Sequence, residues 1–78
     1  MLIKFTKHAL ERMKIRSITK EEIIETINNP ENELNDSYGN IIAHKIKKKY
    51  LLRVFYYNEE DSKVVITAYK TTKIDKYF

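Results

Sequence analysis

Two runs in the second half of the chain set the strongest limit on its fold. Tyr50-Leu-Leu-Arg-Val-Phe-Tyr-Tyr57 and Lys63-Val-Val-Ile-Thr-Ala-Tyr-Lys70 are rich in β-branched and aromatic residues, and both are of strand length. The polar stretch Asn58-Glu-Glu-Asp-Ser62 between them suits a loop. Together they predict an antiparallel hairpin. Side chains alternate between the faces of a strand, so register sorts them. With Arg53 opposite Thr67, Leu52, Val54 and Tyr56 share an apolar face with Val64, Ile66 and Ala68. The other face then carries Leu51, Arg53, Phe55 and Tyr57 beside Val65, Thr67 and Tyr69. A guanidinium among rings and a hydroxyl is unusual on a sheet, and it is the first functional clue.

The chain of 78 residues is read as one domain, 1–78, of limited core size. Cysteine is absent, which excludes disulfides and thiolate metal sites. The two histidines are far apart in sequence, so no metal and no cofactor are expected. No apolar run approaches the ~20 residues needed to cross a bilayer. The expected location is cytoplasmic, without membrane association.

Charge is unevenly distributed. Glu21, Glu22, Glu25, Glu31, Glu33 and Asp36 gather in the first half, whereas Lys45, Lys47, Lys48, Lys49, Arg53, Lys70, Lys73 and Lys76 make the second half basic. The pattern suits a polyanion on one side, or simply a solvated lysine surface.

In chain order, Leu2–Phe5 reads as a short strand or an extended lead-in. Thr6 caps a helix from Lys7, with Phe5 and Leu10 as a hydrophobic staple. Ala9, Leu10 and Met13 form its buried stripe. His8, Arg12 and Arg16 recur at i, i+4 and i+8 along one side, where an anionic ligand or nearby carboxylates would relieve their repulsion. Thr19-Lys-Glu-Glu22 is a capping box with Ile18 and Ile23 as staple, opening a helix to about Asn28 that buries Ile23, Ile24 and Ile27. Asn29-Pro30 ends it. A short edge strand is expected around Glu33–Asn35, a turn at Ser37–Asn40 with Gly39 at positive φ, and a strand over Ile41–Ile46. In the tail, Ile74 and Phe78 are spaced to dock a helical turn, with Phe78 closing the core. The predicted class is α+β, with two N-terminal helices packed on one face of a three- to four-stranded antiparallel sheet and the Arg53 face left open.

Phe5-Thr-Lys-His8-Ala9, Arg12-Met13, Arg16, Leu52-Arg53-Val54 and Val65-Ile66-Thr67-Ala68-Tyr69 resemble the pattern of a small prokaryotic family catalogued as a domain of unknown function. The resemblance covers most of the chain, with Ser17 where glycine is usual before Ile18. That family is similar in turn to RelE and BrnT toxins of toxin–antitoxin pairs. The resemblance implies a RelE-like fold and a metal-independent ribonuclease that cuts mRNA, including ribosome-bound mRNA, under control of a small antitoxin protein. A homodimer is left open.

Metal-free RNA cleavage needs a base for the ribose 2′-OH, positive charge for the phosphorane and an acid for the 5′-oxygen. The candidate catalytic residues are Arg53, for charge, His8, for proton transfer, Arg12, in support, and Tyr69, for stacking or protonation. His44 is a weaker proton-transfer candidate, its strand parity undetermined. Arg16, Lys47, Lys48, Lys49, Thr67, Lys70 and Lys73 are candidates for nucleic-acid contact. Two other readings stand beside this one: a non-catalytic RNA- or DNA-binding module on the same basic face, and a protein-interaction domain that recruits a partner strand.

Overall fold

The computed structural model describes residues 2–77. In order, the elements are β1 (Leu2–Phe5), α1 (Lys7–Ile15), α2 (Lys20–Asn28), β2 (Asn32–Asn35), β3 (Ile41–Ile46), β4 (Leu51–Glu59), β5 (Ser62–Thr71) and α3 (Ile74–Tyr77). The α+β class is as expected. The sheet is larger than expected and mixed. Its five strands run β1-β5-β4-β3-β2. The β1–β5 pair is parallel and the other pairs are antiparallel. The lead-in is thus a strand, laid parallel along the outer side of β5.

Local chemistry fixes the helix starts. The Thr6 hydroxyl accepts from the Ala9 N–H at 3.0 Å, which satisfies one otherwise orphaned donor of α1. At α2 the capping box is complete. The Glu22 N–H donates to Thr19 Oγ1, and Glu22 Oε1 accepts the Thr19 N–H. Gly39 takes φ +86°, as its turn requires.

Ala9 and Met13 of α1, Ile18 of the connection, and Ile23 and Ile27 of α2 pack on Ala43, Leu52, Val54, Tyr56, Val65 and Ala68. Both helices therefore cover one face of the sheet. Two core members expected from the helices are absent. Leu10 and Ile24 are exposed, while Thr26 is buried and donates its hydroxyl to the Glu22 carbonyl at 2.8 Å. Each α1 or α2 turn offers one narrow stripe to the sheet, and the next apolar residue falls outside it.

The hairpin register differs from the expected one by two residues. Arg53 lies opposite Tyr69, and Phe55 lies opposite Thr67. The parity of Arg53 is unchanged. A register shift at Phe55/Tyr56 then leaves Ile66 unpaired, since Tyr56 faces Val65. One extra residue reverses the alternation beyond it. Val65, not Val64 or Ile66, therefore enters the helix-side core. The connection is also tighter than the predicted five-residue loop. Strands persist to Glu59 and from Ser62, with Glu60 at φ +47°. The core role expected of Phe78 lies outside the described residues. Among those residues, no helix is long and apolar enough to cross a membrane.

Candidate functional site

Directly opposed strand residues share a face, so β3, β4 and β5 place His44, Arg53 and Tyr69 in one row across the sheet. The row lies on the face away from α1 and α2. Ile42, Phe55 and Thr67 form the next row, and Ile46, Leu51 and Thr71 the row on the other side. α3 adds Tyr77 over the guanidinium.

Arg53 is only 7% exposed, and His44 is fully buried. The arginine Nε donates to His44 Nε2 at 3.0 Å, and its Nη1 donates to the Tyr69 hydroxyl. The guanidinium carbon lies 3.9 Å from the Tyr77 ring centroid, 5.3 Å from Phe55 and 5.5 Å from Tyr69. Such contacts are worth about 0.5–2 kcal/mol each, more when water is excluded. Phe55 and Tyr69 are themselves stacked, with centroids 6.0 Å apart.

No carboxylate balances this cation among the described residues. The ion pairs there are Lys4–Glu59, Lys45–Glu31 and Lys47–Glu25. A buried charge without a counterion is costly, and here neutral acceptors and ring faces hold it. Nη2 makes no hydrogen bond to a described residue. Among the described residues, no buried side-chain nitrogen or oxygen lacks a partner. The site therefore holds a guanidinium fixed at Nε and Nη1 and capped by aromatic rings.

The histidine tautomer follows from its partners. An arginine Nε is always a donor, so His44 Nε2 must present its lone pair. The proton then sits on Nδ1, which donates to Asn32 Oδ1 at 3.0 Å. Burial first, and the Arg53 charge second, hold the imidazole pKa below its ordinary value. His44 is neutral at pH 7 and its nitrogens are engaged on both sides.

On the other branch the two tyrosines are pushed apart. Burial and a hydrogen bond given to Tyr77 raise the Tyr69 phenol, against the opposing pull of Arg53. Accepting that bond, together with the charges of Lys76 and Arg53, lowers the Tyr77 phenol. Arg53 thus donates in two directions, and each branch passes polarity outward to Asn32 or to Tyr77.

The other predicted residues are dispersed. His8 and Arg12 are exposed on α1, so the sheet separates them from Arg53. Arg16 donates from Nη1 to the Ala68 carbonyl at 2.8 Å, which ties the end of α1 to β5. Lys70 is opposite Leu52 on the helix side, with Nζ 3.4 Å from the Ser17 carbonyl and 4.9 Å from the Tyr50 ring centroid. Lys47 is held by Glu25 at 2.7 Å, a bond that raises its pKa. Lys48, Lys49 and Lys73 are exposed. They follow β3 and β5, at the end of the sheet where Leu51 pairs with Thr71. Of the other candidates, His44, Thr67 and Tyr69 share the face of Arg53. The cationic hollow expected between that face and the opening helix does not form.

Asn32 and Tyr77 were not among the sequence candidates. Asn32 meets His44 only through the β2–β3 pairing. Tyr77 reaches Arg53 only because the chain turns back after β5, where the Lys73 N–H bonds the Thr71 hydroxyl at 3.0 Å. Among the described residues, no group of three His, Cys, Asp or Glu side chains is arranged to hold a metal ion.

A family model described as "domain of unknown function (DUF4258)" matches residues 5–70. The chain belongs to the DUF4258 family. The matched span runs from Phe5 to Lys70 and contains Asn32, His44, Arg53 and Tyr69, whereas Tyr77 follows it. No curated protein and no solved structure matches this DUF4258 chain significantly.

Proposed function

We propose that this DUF4258 protein is a RelE/BrnT-like toxin: a metal-independent ribonuclease that cleaves mRNA and is held in check by a small antitoxin. The observation that carries the proposal is the Arg53 guanidinium, with no carboxylate partner and no hydrogen bond from Nη2 among the described residues. A phosphodiester oxygen is the natural partner for such a group, since guanidinium–phosphate bonds are charge-assisted and directional.

In the proposed reaction the ribose 2′-oxygen attacks the adjacent phosphorus. The new O2′–P bond forms as the P–O5′ bond breaks, leaving a 2′,3′-cyclic phosphate. Arg53 Nη2 neutralises charge developing on the phosphoryl oxygens. Tyr77 is the group best suited to take the 2′-proton, because its neighbours stabilise its phenolate. The leaving 5′-oxygen takes a proton from water. His44 is not the base in this scheme, because its Nε2 lone pair is committed to Arg53. Lys48, Lys49 and Lys73 would steer the RNA backbone from the neighbouring end of the sheet.

The test is incubation of purified protein with RNA in EDTA. Fragments bearing 2′,3′-cyclic phosphate are the expected result. Salt-sensitive retardation without cleavage would replace this reading with the nucleic-acid-binding module, and neither result would leave the protein-interaction domain.

A further inference from the structure

The row across the sheet holds a feature that the cleavage scheme does not itself require. A free arginine side chain samples many rotamers, and its fork is useful only when aimed. Arg53 is aimed by its Nε. That nitrogen is anchored on His44 Nε2 at 3.0 Å. The imidazole is in turn oriented by Asn32 Oδ1 at 3.0 Å on its far side. Three strands thus contribute one residue each, at directly opposed positions.

We propose that Asn32 and His44 are a positioning pair for the Arg53 guanidinium, and that their dependence on a neutral imidazole makes the phosphate site lose function in acid. This rests on the reading of Arg53 as the phosphate contact. A proton on Nε2 would replace the acceptor with a donor, so the Arg53 Nε bond would be lost and two cations would face each other. At Nδ1, the neutral Asn32 amide accepts without stabilising an imidazolium as a carboxylate would.

Among the described residues, the groups that face the imidazole agree with this. From β4 the facing charge is Arg53, whose effect lowers the pKa further. From β2 comes the neutral Asn32. Glu31, just before β2, donates its backbone N–H to the His44 carbonyl, and its carboxylate serves the Ile46 N–H and Lys45. From β5 and α3 come Tyr69 and Tyr77, both reached through Arg53.

Two variants separate positioning from simple packing. His44→Gln supplies a non-titrating acceptor at similar reach. Asn32→Asp places a carboxylate on Nδ1, which should raise the imidazole pKa by about 1–3 pH units. Cleavage of RNA and anisotropy with a fluorescent 2′-O-methyl RNA, which cannot be cleaved, would be followed over about pH 4–8. Imidazole nitrogen shifts of the wild-type chain would be recorded alongside. The expected results are a His44 protonated on Nδ1 alone near neutrality, an acid limb in wild-type binding, its loss in His44→Gln and its upward displacement in Asn32→Asp. A His44 protonated on Nε2 at neutral pH would overturn the proposal, as would an acid limb that neither variant moves. Absence of cleavage in every sample would remove the ribonuclease reading only. The anisotropy and nitrogen-shift measurements would still decide on the pair, and no RNA binding by the wild type would count against it.

Discussion

Arg53 and His44 face each other across the β3–β4 pair, and the arginine Nε donates to the histidine Nε2 at 3.0 Å. That bond exists only while the imidazole is neutral, and it couples the fold to pH. The pKa of His44 is lowered in the folded chain from 6.5, mainly by burial. Below about pH 6.5 the unfolded chain therefore binds a proton that the folded chain refuses. Stability is full above that point and falls as pH drops toward the folded pKa. Urea unfolding over this range should show the loss, and His44→Gln should flatten it. A second loss should begin lower, below about pH 4.5, where Glu22 and Glu25 protonate. The Thr19 N–H chiefly lowers the first and Lys47 the second. An unfolding free energy constant between about pH 7 and 5 would contradict the lowered His44 pKa.

Arg16 belongs to the fold. Its Nη1 donates to the Ala68 carbonyl, and the α1–α2 connection is further tied by Lys70 at the Ser17 carbonyl. Arg16→Ala should cost about 1–2 kcal/mol by loss of a charge-assisted bond. RNA affinity at neutral pH should change less than twofold, on the order of 0.4 kcal/mol. A large affinity loss with unchanged stability would return Arg16 to the binding surface.

Ser17 sits at φ +55°, in the left-handed region, directly before the buried Ile18. A side chain costs about 1 kcal/mol there, which glycine avoids. Ser17→Gly should stabilise the protein by about that amount, raising Tm by roughly 4–8 °C for a chain of this size. Thr19→Ala two residues on should do the reverse, at a cost of about 1 kcal/mol, by breaking the capping box. Thermal melts of the two variants give opposite signs if both local accounts hold.

The strongest sequence signals were short-range, and they located the helices well. Thr6 with Ala9, and Thr19 with Glu22, are contacts three residues apart, so a single pass along the chain finds them. Strand existence was equally legible from composition. Register was not. The two-residue slip and the unpaired Ile66 depend on how β5 is stretched between its parallel partner β1 and its antiparallel partner β4. Nothing local to Val64-Val65-Ile66 distinguishes which of the three takes the core. The face of Arg53 was legible, since a slip of two preserves parity. Its company was not. His8 and Arg12 share a helix side at the right spacing, but that side lies across the sheet. Asn32, His44 and Tyr77 come to Arg53 from 21, 9 and 24 residues away, through pairing and a chain reversal that no motif announces.

Tyr77 should report on the site directly. Its ring lies 3.9 Å from the Arg53 guanidinium carbon, and its hydroxyl interacts with Tyr69. Tyr77→Phe keeps the stacking surface and removes the phenol. On the proposed scheme it should lower cleavage by about 100-fold or more, in keeping with loss of a general base, and leave binding of uncleavable RNA within twofold. Equal losses in both assays would make Tyr77 a binding residue.

The most direct test of the central claim compares wild type, Arg53→Lys and Arg53→Ala in RNA cleavage with EDTA present, with urea unfolding measured on the same samples. Arg53→Ala should lose stability, about 1–3 kcal/mol, because it strands the buried His44 Nε2. Arg53→Lys keeps the charge but not the fork that reaches His44, Tyr69 and a phosphate together. The account predicts that Arg53→Lys, while still folded, loses cleavage by about 100- to 1,000-fold. Cyclic-phosphate fragments released by folded Arg53→Lys at the wild-type rate would contradict it.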